Sequence, residues 1–283
     1  MASINDLATA AIASSSSPKS AAEGAPAAAA AAAAASGTKR GAFIVLEGLD
    51  RSGKTTQAKL LEQRFVEEGR PVKLMRFPDR TTPIGVMIDG YLKSDVEMED
   101  HVIHLLFSAN RWEAANQIHT LLAAGTTIVC DRFYHSGIVY SAAKQNPTLG
   151  AAWARAPERG LPRPDMVLFL DLDEEQARAR GGWGGEVYER AETQRRVKEL
   201  FWALSRGARH ERHGLLLGEA ATAPGGGGDG GSALAWKQEE EDLVVVDAGA
   251  SVEEVAEDVW ARVEGRVRQV ERGEAGRTVR VVV

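Results

Sequence analysis

The chain has 283 residues, a formal net charge of −6 and a single cysteine. One cysteine excludes a disulfide framework, and the negative charge argues against a nucleic-acid polymer as partner. No apolar stretch approaches the length of a membrane span, so a membrane partner is not expected.

The first forty residues are rich in alanine and serine and include an unbroken alanine run at positions 27–35. Because such a segment buries too little apolar surface to offset its ordering entropy, we predict that residues 1–40 are a disordered leader. Asp6 and Glu23 lie in it and no arginine precedes Arg40, which disfavours mitochondrial import. We therefore expect a cytoplasmic protein, with the nucleus left open.

A phosphate-binding loop follows the leader. Residues 48–55 read Gly48-Leu-Asp-Arg-Ser-Gly-Lys-Thr, directly after the apolar run at 43–46 and before a helical pattern. Glycines let backbone N–H groups curl around a phosphate, and the helix N-terminus favours the same anion. Lys54 supplies a charge for the β- and γ-phosphates, and the Thr55 hydroxyl can complete a Mg²⁺ shell. The motif predicts nucleotide binding.

Short β-branched runs alternate with helical patterns along the rest of the chain. The predicted strands are 43–46, Val72–Arg76, Thr127–Asp131, Met166–Asp171 and Leu243–Asp247. The predicted helices are 55–68, 101–124, 174–180, 192–209 and 252–267. This alternation predicts an α/β, three-layer P-loop NTPase fold, with a parallel sheet of about five strands flanked by helices and ligands at the carboxyl ends of the strands.

Two glycine-rich stretches interrupt the pattern. Gly181-Gly-Trp-Gly-Gly favours a short lid at about 180–190, with a long surface turn as the alternative. The second stretch, at about 218–233, is too rich in glycine to pack and is predicted to be a flexible insertion. The P-loop domain then spans residues 41–268, and residues 269–283 form a tail whose structure stays open.

Three arginines are candidates for a second site near the loop. Arg80 and Arg132 follow predicted strands, and two guanidinium groups can grip one phosphate and orient it. Phe107 and Arg111 lie four residues apart on one helical face, which suits stacking on a base and hydrogen bonding to a carbonyl. Core packing of Phe107 with a solvated Arg111 is the alternative.

Several segments together resemble the thymidylate kinase family, in its eukaryotic type, from about residue 41 to 194 and more weakly to 248. They are the phosphate loop, Arg76-Phe-Pro-Asp-Arg, Leu105-Leu-Phe-Ser-Ala-Asn-Arg, Asp131-Arg-Phe-Tyr-His-Ser-Gly and Gly160-Leu-Pro-Arg-Pro-Asp. The resemblance implies transfer of the ATP γ-phosphoryl group to thymidine monophosphate (dTMP), giving the diphosphate (dTDP) and ADP. It also implies Mg²⁺ as cofactor and a homodimer.

The resemblance implies a set of site residues by matching position. The ATP-binding residues would be Gly48, Leu49, Asp50, Arg51, Ser52, Gly53, Lys54, Thr55, Thr56 and Arg180. The substrate-binding residues would be Asp50, Phe77, Arg80, Phe107, Arg111, Arg132, Ser136, Gly137, Tyr140 and Tyr188. The catalytic residues would be Arg51, Lys54, Asp131 and Arg132, and the metal-associated residues Thr55, Asp131 and Glu189.

Within this set, the resemblance also implies individual roles. Arg80 and Arg132 would hold the substrate phosphate, and Asp50 would bind the sugar 3′-hydroxyl. Phe107 would stack on thymine while Arg111 bonds its 4-carbonyl. Tyr140 and Tyr188 would close around the sugar and disfavour a 2′-hydroxyl. Val187 departs from the pattern, because relatives often carry a basic residue there.

Other classes of protein remain as alternatives. Another nucleoside monophosphate kinase or a deoxynucleoside kinase is the nearest of them, although the loop here differs from the usual adenylate or uridylate kinase form. A nucleotide switch would be favoured by an Asn-Lys-x-Asp segment, and the chain has none. A catalytically inactive scaffold is the third alternative.

Overall fold

The computed structural model describes residues 39–179, 186–206 and 242–283. Within them the strands are β1 (Phe43–Gly48), β2 (Val72–Arg76), β3 (Thr127–Asp131), β4 (Met166–Asp171) and β5 (Leu243–Asp247). The helices are α1 (Lys54–Glu67), α2 (Pro83–Leu92), α3 (Asp100–Ala123), α4 (Tyr134–Ala142), α5 (Ala151–Arg155), α6 (Glu174–Ala179), α7 (Ala191–Arg206) and α8 (Val252–Glu271). A 3₁₀ turn, Ala156–Glu158, follows α5.

The five strands form one parallel sheet in the order β2-β3-β1-β4-β5, which confirms the predicted α/β class. Strand β1 lies at the centre, and Leu46 near its end is paired with Asp131 at the end of β3. The loops that follow β1 and β3 therefore emerge side by side at the carboxyl edge of the sheet. Such an edge is where ligands bind in open α/β sheets.

The side chains of β1 alternate between two hydrophobic layers, as the two-residue period of a strand requires. Phe43 and Val45 pack in the layer that contains residues of α3, α4 and α7. Ile44 and Leu46 pack in the opposite layer, which contains residues of α1 and α8. Because both faces of β1 are buried, its sequence is apolar nearly throughout, and this is why it was predictable.

Predicted and observed elements agree well for strands and for the long helices. Gly125 follows α3 with a φ of 84°, as expected of a glycine at a helix end. Helix α8 extends to Glu271, four residues beyond the predicted end, and begins with a capping box between Ser251 and Glu254. The predicted helix end at 209 lies outside the described residues.

Three helices, α2, α4 and α5, lie where the sequence pattern predicts none. In α4 the residues Ile138, Val139 and Tyr140 are β-branched or aromatic, and nearly every side chain of the helix is buried. A helix buried on all sides shows no amphipathic period, and its residue types have low intrinsic helix propensity. Tertiary packing therefore decides its conformation.

The described residues near each end of the chain pack against the domain. Arg40, within the predicted leader, is buried and bonds both carboxylate oxygens of Asp165, at 2.7 and 2.8 Å. In the tail, Val282 is buried and exchanges two backbone hydrogen bonds with Gly160 and Leu161. The remainder of the leader and the glycine-rich insertion lie outside the described residues.

In the described part of the chain, none of the helices has both the length and the apolar character needed to cross a membrane. Cys130 is buried in β3, where it packs as a small core residue. Burial raises the pKa of its thiol well above the ordinary value.

Candidate active site

The phosphate loop connects β1 to α1 through backbone conformations that its glycines permit. Gly48 and Gly53 have φ values of 152° and 94°. A Cβ atom at Gly48 would lie 2.5 Å from the Ser52 hydroxyl and 2.8 Å from the Leu170 carbonyl oxygen. Arg51 also has a positive φ, of 67°, a strained conformation of the kind that clusters at functional sites.

Lys54 is the first residue of α1, and its side chain is turned into the loop. Its Nζ donates to the carbonyl oxygen of Leu49 at 2.5 Å. Burial, and next the positive charge of Arg132, lower the pKa of Lys54 to about 7. An anionic phosphate near Nζ would favour the charged form, so binding of such a group would be coupled to proton uptake near neutral pH.

Two clefts of about 370 Å³ each meet at this loop. The first lies between the loop and the segment that joins β5 to α8, and is lined there by Ala248, Ala250 and Val252. Its loop side is lined by Arg51, Ser52, Gly53, Lys54, Thr55, Thr56 and Gln57. Both clefts include Arg51, Lys54 and Thr55, so two ligands bound in them would meet over these three residues.

The second cleft lies at the carboxyl ends of β1, β2 and β3. It contains all the residues predicted to bind substrate: Asp50, Phe77, Arg80, Phe107, Arg111, Arg132, Ser136, Gly137, Tyr140 and Tyr188. The residues predicted to bind metal, Thr55, Asp131 and Glu189, line it as well. Tertiary structure thus brings these residues from the loop, three helices and the segment before α7 into one cavity.

Arg132 is held at the floor of this cleft. It has a φ of 68° and donates to the Gly48 carbonyl oxygen at 3.1 Å and to the Ser136 hydroxyl at 3.0 Å. It also forms an ion pair with Asp50. Burial would lower the pKa of Arg132, but the Tyr140 hydroxyl and nearby carboxylates raise it, so the guanidinium stays charged.

Asp50 is the acidic partner of Arg132 in the phosphate loop. Burial would raise the pKa of this carboxyl, but the charges of Arg132 and Lys54 bring it below the ordinary value. Gln194, on α7, also holds Asp50: its amide donates to the carboxylate at 2.8 Å and accepts from the Asp50 backbone N–H at 3.1 Å. The same amide donates to the Tyr188 carbonyl oxygen at 2.9 Å, which ties the phosphate loop to the segment that precedes α7.

Sequence reasoning identified neither Gln194 nor Glu47 as a site residue. Glu47 is fully buried, and its carboxyl accepts from the Phe133 N–H at 3.0 Å and from both the N–H and the hydroxyl of Ser136. These bonds fix the turn that carries Arg132. Burial raises the pKa of Glu47. An acidic residue inside an otherwise apolar strand was the available sequence signal.

Arg111 is buried and paired with Glu158, so the alternative of a solvated Arg111 is wrong. Its Nε donates to Glu158 at 2.9 Å, and its Nη2 forms a second bond to the same carboxylate. A Cβ atom at position 137 would lie 2.6 Å from this Nη2, so Gly137 gives the guanidinium room at the cleft wall. Glu158 also escaped prediction, because it lies 47 residues away in the chain.

Arg80 also lines the second cleft, and its side chain is partly exposed. It donates to Asp89 at 2.6 Å and to Glu186 at 2.7 Å. These two carboxylates hold the guanidinium at the cleft, and although burial opposes its charge, their hydrogen bonds raise the pKa of Arg80. Glu186 stands in the predicted lid, so the lid end and the predicted phosphate-binding arginine are in direct contact.

The predicted metal residues supply oxygen ligands of the type that Mg²⁺ prefers. The Thr55 hydroxyl donates to Asp131 at 2.5 Å, and Glu189 lies 3.6 Å from Arg51. The described residues contain no cluster of three acidic, histidine or cysteine side chains that would enclose a metal ion. A hydroxyl and nearby carboxylates fit a Mg²⁺ ion that takes its remaining ligands from phosphates and water.

Two predicted residues lie beneath the clefts rather than in their walls: Gly48 accepts from Arg132, and Leu49 is buried. Arg180, predicted to bind ATP, lies outside the described residues. His104 and His135 are buried behind the second cleft, and burial lowers their pKa values to about 4 and about 3.

Comparisons with known proteins agree with this geometry. Residues 46–213 match the family model described as thymidylate kinase. The chain is 49% identical over 172 residues to a thymidylate kinase of Schizosaccharomyces pombe, covering 61% of this chain and 80% of the relative. It is 45% identical over 166 residues to the thymidylate kinase of Homo sapiens, covering 59% and 77%.

The match to the thymidylate kinase of Arabidopsis thaliana, at 50% identity, spans 62% of that protein and 58% of this chain. A solved structure of thymidylate kinase from Candida albicans superimposes with a TM-score of 0.66 at 32% identity, covering 87% of this chain and all of that one. With a phosphate loop, a second cleft lined by arginines and a family match over more than half its length, the chain belongs to the thymidylate kinase family.

Proposed function

We propose that the protein transfers the γ-phosphoryl group of ATP to the phosphate of dTMP, giving dTDP and ADP. The observation that carries this proposal is the meeting of two clefts at Arg51, Lys54 and Thr55. One cleft is formed by the phosphate loop, and the other is lined by two partly exposed arginines, a third, buried arginine and two tyrosines. The family membership of the chain supports the same reaction.

The phosphates of ATP bind the loop in this proposal, with the base in the first cleft. Backbone N–H groups of the loop and the N-terminus of α1 attract the phosphates. Small apolar side chains, Ala248 and Ala250, leave space for a flat base between the loop and the start of α8. Lys54 reaches the β- and γ-phosphates when it leaves its contact with the Leu49 carbonyl oxygen.

The acceptor, dTMP, occupies the second cleft. Arg80 and Arg132 grip its phosphate, and Phe107 stacks on thymine while Arg111, held by Glu158, bonds the 4-carbonyl. The Tyr140 hydroxyl lies 3.5 Å from a carboxylate oxygen of Asp50. Both groups lie at the end of the cleft near Arg132, where the sugar is expected. The carboxylate of Asp50 is ionised by its neighbours and therefore accepts a hydrogen bond from the 3′-hydroxyl.

The reaction needs orientation and charge neutralisation more than covalent participation by the protein. An oxygen of the acceptor phosphate bonds to the γ-phosphorus while the bond between that phosphorus and the β,γ-bridging oxygen breaks, and ADP leaves. Arg132 and Arg80 aim the attacking oxygen, and Lys54 and Arg51 face the charge on the transferring group. No general base is required, because the attacking oxygen is already anionic.

A Mg²⁺ ion fits the carboxyl edge of the sheet. Thr55, Asp131 and Glu189 would hold it, directly or through its water shell. When bound, such an ion would supply positive charge to offset that of the phosphates. The proposed roles of these three side chains are to orient that ion and its water, and Asp131 is already oriented by the Thr55 hydroxyl.

The resemblance further supports a homodimer, and the outer face of α3 offers a surface for it. Val102, Leu105 and Trp112 lie on this helix with 45%, 46% and 42% of their surfaces exposed. Sedimentation of the full chain tests this: a dimer that Leu105→Glu dissociates is the expected result. A wild-type monomer at micromolar concentration would exclude it.

A coupled ADP-release assay with ATP and Mg²⁺ tests the proposed reaction. Thymidine, uridine, cytidine, adenosine and guanosine monophosphates are offered separately, each in deoxy and ribo form. A marked preference for dTMP is expected. Preference for another monophosphate would instead indicate a nucleoside monophosphate kinase with a different acceptor. ATP binding without any turnover would support a nucleotide-binding module.

A further inference from the structure

Tyr188 lines the second cleft, and its position depends on neighbours outside that cleft. Its ring packs edge-on against Tyr140, with the centroids 5.4 Å apart, and faces Tyr91 of α2 at 6.1 Å. The Tyr91 and Tyr188 hydroxyl oxygens are 3.5 Å apart. The preceding residue, Val187, donates its backbone N–H to the Leu92 carbonyl oxygen at 3.1 Å. This segment is therefore docked on α2.

Lys144 completes this arrangement from the turn after α4. Its Nζ lies 5.2 Å from the ring centroid of Tyr91 and 5.5 Å from that of Tyr188. It donates to the Tyr91 hydroxyl at 3.0 Å and to Asp100, the first residue of α3, at 2.8 Å. Asn146 holds the other oxygen of Asp100 at 3.1 Å. Only 12% of the Lys144 side chain is exposed.

The chemistry of this cluster favours one fixed position for Tyr188. An ammonium group shielded from water attracts the faces of aromatic rings more strongly than an exposed one. The charge of Lys144 is balanced by Asp100, so its burial is compensated. Because Lys144 contacts α2, α3 and Tyr188 at once, it joins the segment before α7 to the two helices that flank the cleft.

We propose that Lys144 is a positioning residue for substrate selection: it fixes the Tyr188 ring against Tyr140 and so sets the discrimination between deoxy and ribo monophosphates. Lys144 does not line the second cleft, so it acts through Tyr188 rather than on the substrate itself. This inference rests on the proposed function, in which Tyr140 and Tyr188 surround the sugar.

The test measures kcat and KM for ATP, for dTMP and for 5-methyluridine monophosphate, which differs from dTMP only by its 2′-hydroxyl. The Lys144→Met substitution keeps the length of the side chain and removes its charge. In this variant the KM for dTMP rises roughly three- to thirtyfold. The KM for ATP stays within about twofold, and the preference of kcat/KM for the deoxy substrate falls about as much as the KM rises. Lys144→Arg restores part of the preference.

The matched control is Lys73→Met, at an exposed lysine on the edge strand β2. This substitution should leave the KM for dTMP, the KM for ATP and the preference for the deoxy substrate unchanged. A second test combines Lys144→Met with Tyr188→Leu. If Lys144 acts through Tyr188, the double variant matches Tyr188→Leu alone in its deoxy preference. Independent, multiplicative effects of the two substitutions would overturn the proposal.

Unchanged deoxy preference in a folded Lys144→Met protein would also overturn it. If Lys144→Met melts more than about 10 °C below the wild type, Asp100→Asn replaces it, because this variant removes the carboxylate that holds Nζ. A lowered deoxy preference is then expected, and an unaltered one overturns the inference. Wild-type turnover of dTMP is measured in the same experiment, so a wild type inactive on dTMP would refute the proposed function, whereas failure of the variants alone would refute only the role of Lys144.

Discussion

Replacing Arg132 by alanine should remove most of the activity while leaving the fold intact. The guanidinium donates to Gly48 and Ser136, pairs with Asp50 and lies 5.2 Å from the centroid of the Tyr140 ring. In the proposed reaction it also binds the acceptor phosphate. Arg132→Ala therefore removes a structural contact and a substrate contact together, and the two losses have separate measurements.

The loss of stability depends on how far the ion pair between Arg132 and Asp50 is exposed to water. Breaking a fully buried pair costs about 3–5 kcal/mol. The side chains of Arg132 and Asp50 keep 16% and 27% of their surface exposed, so we expect a smaller cost of about 2–3 kcal/mol. For a domain of this size, that lowers the melting temperature by about 5–10 °C.

The catalytic loss is larger. A fixed charged donor that faces a phosphate in a water-poor site contributes about 3–4 kcal/mol to transition-state stabilisation, so kcat/KM for dTMP should fall about 10²–10³-fold. Arg132→Lys keeps a charge but loses the fork that spans two oxygens, and an intermediate loss of about 10- to 100-fold is expected. Arg262→Ala serves as control, because Arg262 is an exposed arginine on α8 whose ion pair is with Asp258, one turn earlier on the same helix.

The assay is coupled ADP release at saturating ATP, with thermal unfolding followed by circular dichroism on the same samples. A kcat/KM within threefold of wild type in a folded Arg132→Ala protein would refute the phosphate-binding role. Equal losses in Arg132→Ala and the Arg262→Ala control would point to a general effect of the substitution.

Three further predictions concern the base, the loop and pH. Phe107→Ala should raise the KM for dTMP roughly ten- to hundredfold with little change in the KM for ATP, because stacking on a base contributes about 1–3 kcal/mol; equal changes in both would remove Phe107 from the base site. Gln194→Leu should lower kcat/KM for dTMP at least about tenfold, since the amide makes three hydrogen bonds to Asp50 and Tyr188; unchanged kinetics would show that the loop holds Asp50 without it. His104 and His135 have folded-state pKa values of about 4 and about 3, below the unfolded value of 6.5. Their contribution to the free energy of unfolding is therefore fully present above pH 6.5. It falls as the pH drops toward 4, by about 1.4 kcal/mol per pH unit for each histidine.

The pH prediction has its own control, because carboxylates also titrate in this range. Urea unfolding of wild type and His135→Gln is compared between pH 7 and pH 4.5. The variant should lose the part of the slope that belongs to one histidine. Identical slopes would show that His135 does not remain neutral in the folded protein.

The sequence by itself determined the parts of this protein that depend on short segments. The continuous apolar run of β1 identifies a strand buried on both faces, and the loop from Gly48 to Thr55 identifies a phosphate site, because local backbone conformation and local chemistry are both written in consecutive residues. The motif resemblance then identified most of the residues in the second cleft. These properties require no knowledge of which distant segments meet.

Tertiary structure decided which distant residues hold the side chains of the site. Glu158 holds Arg111 across 47 positions, and Gln194 holds Asp50 across 144. The sheet order, with β3 and β4 on either side of β1, places such segments together. Long-range contacts of this kind are selected by packing and by the hydrogen-bond needs of buried polar groups over the whole chain, and no local pattern in one sequence records them. For the same reason the buried helix α4 and the cluster around Lys144 became visible only when the chain was folded.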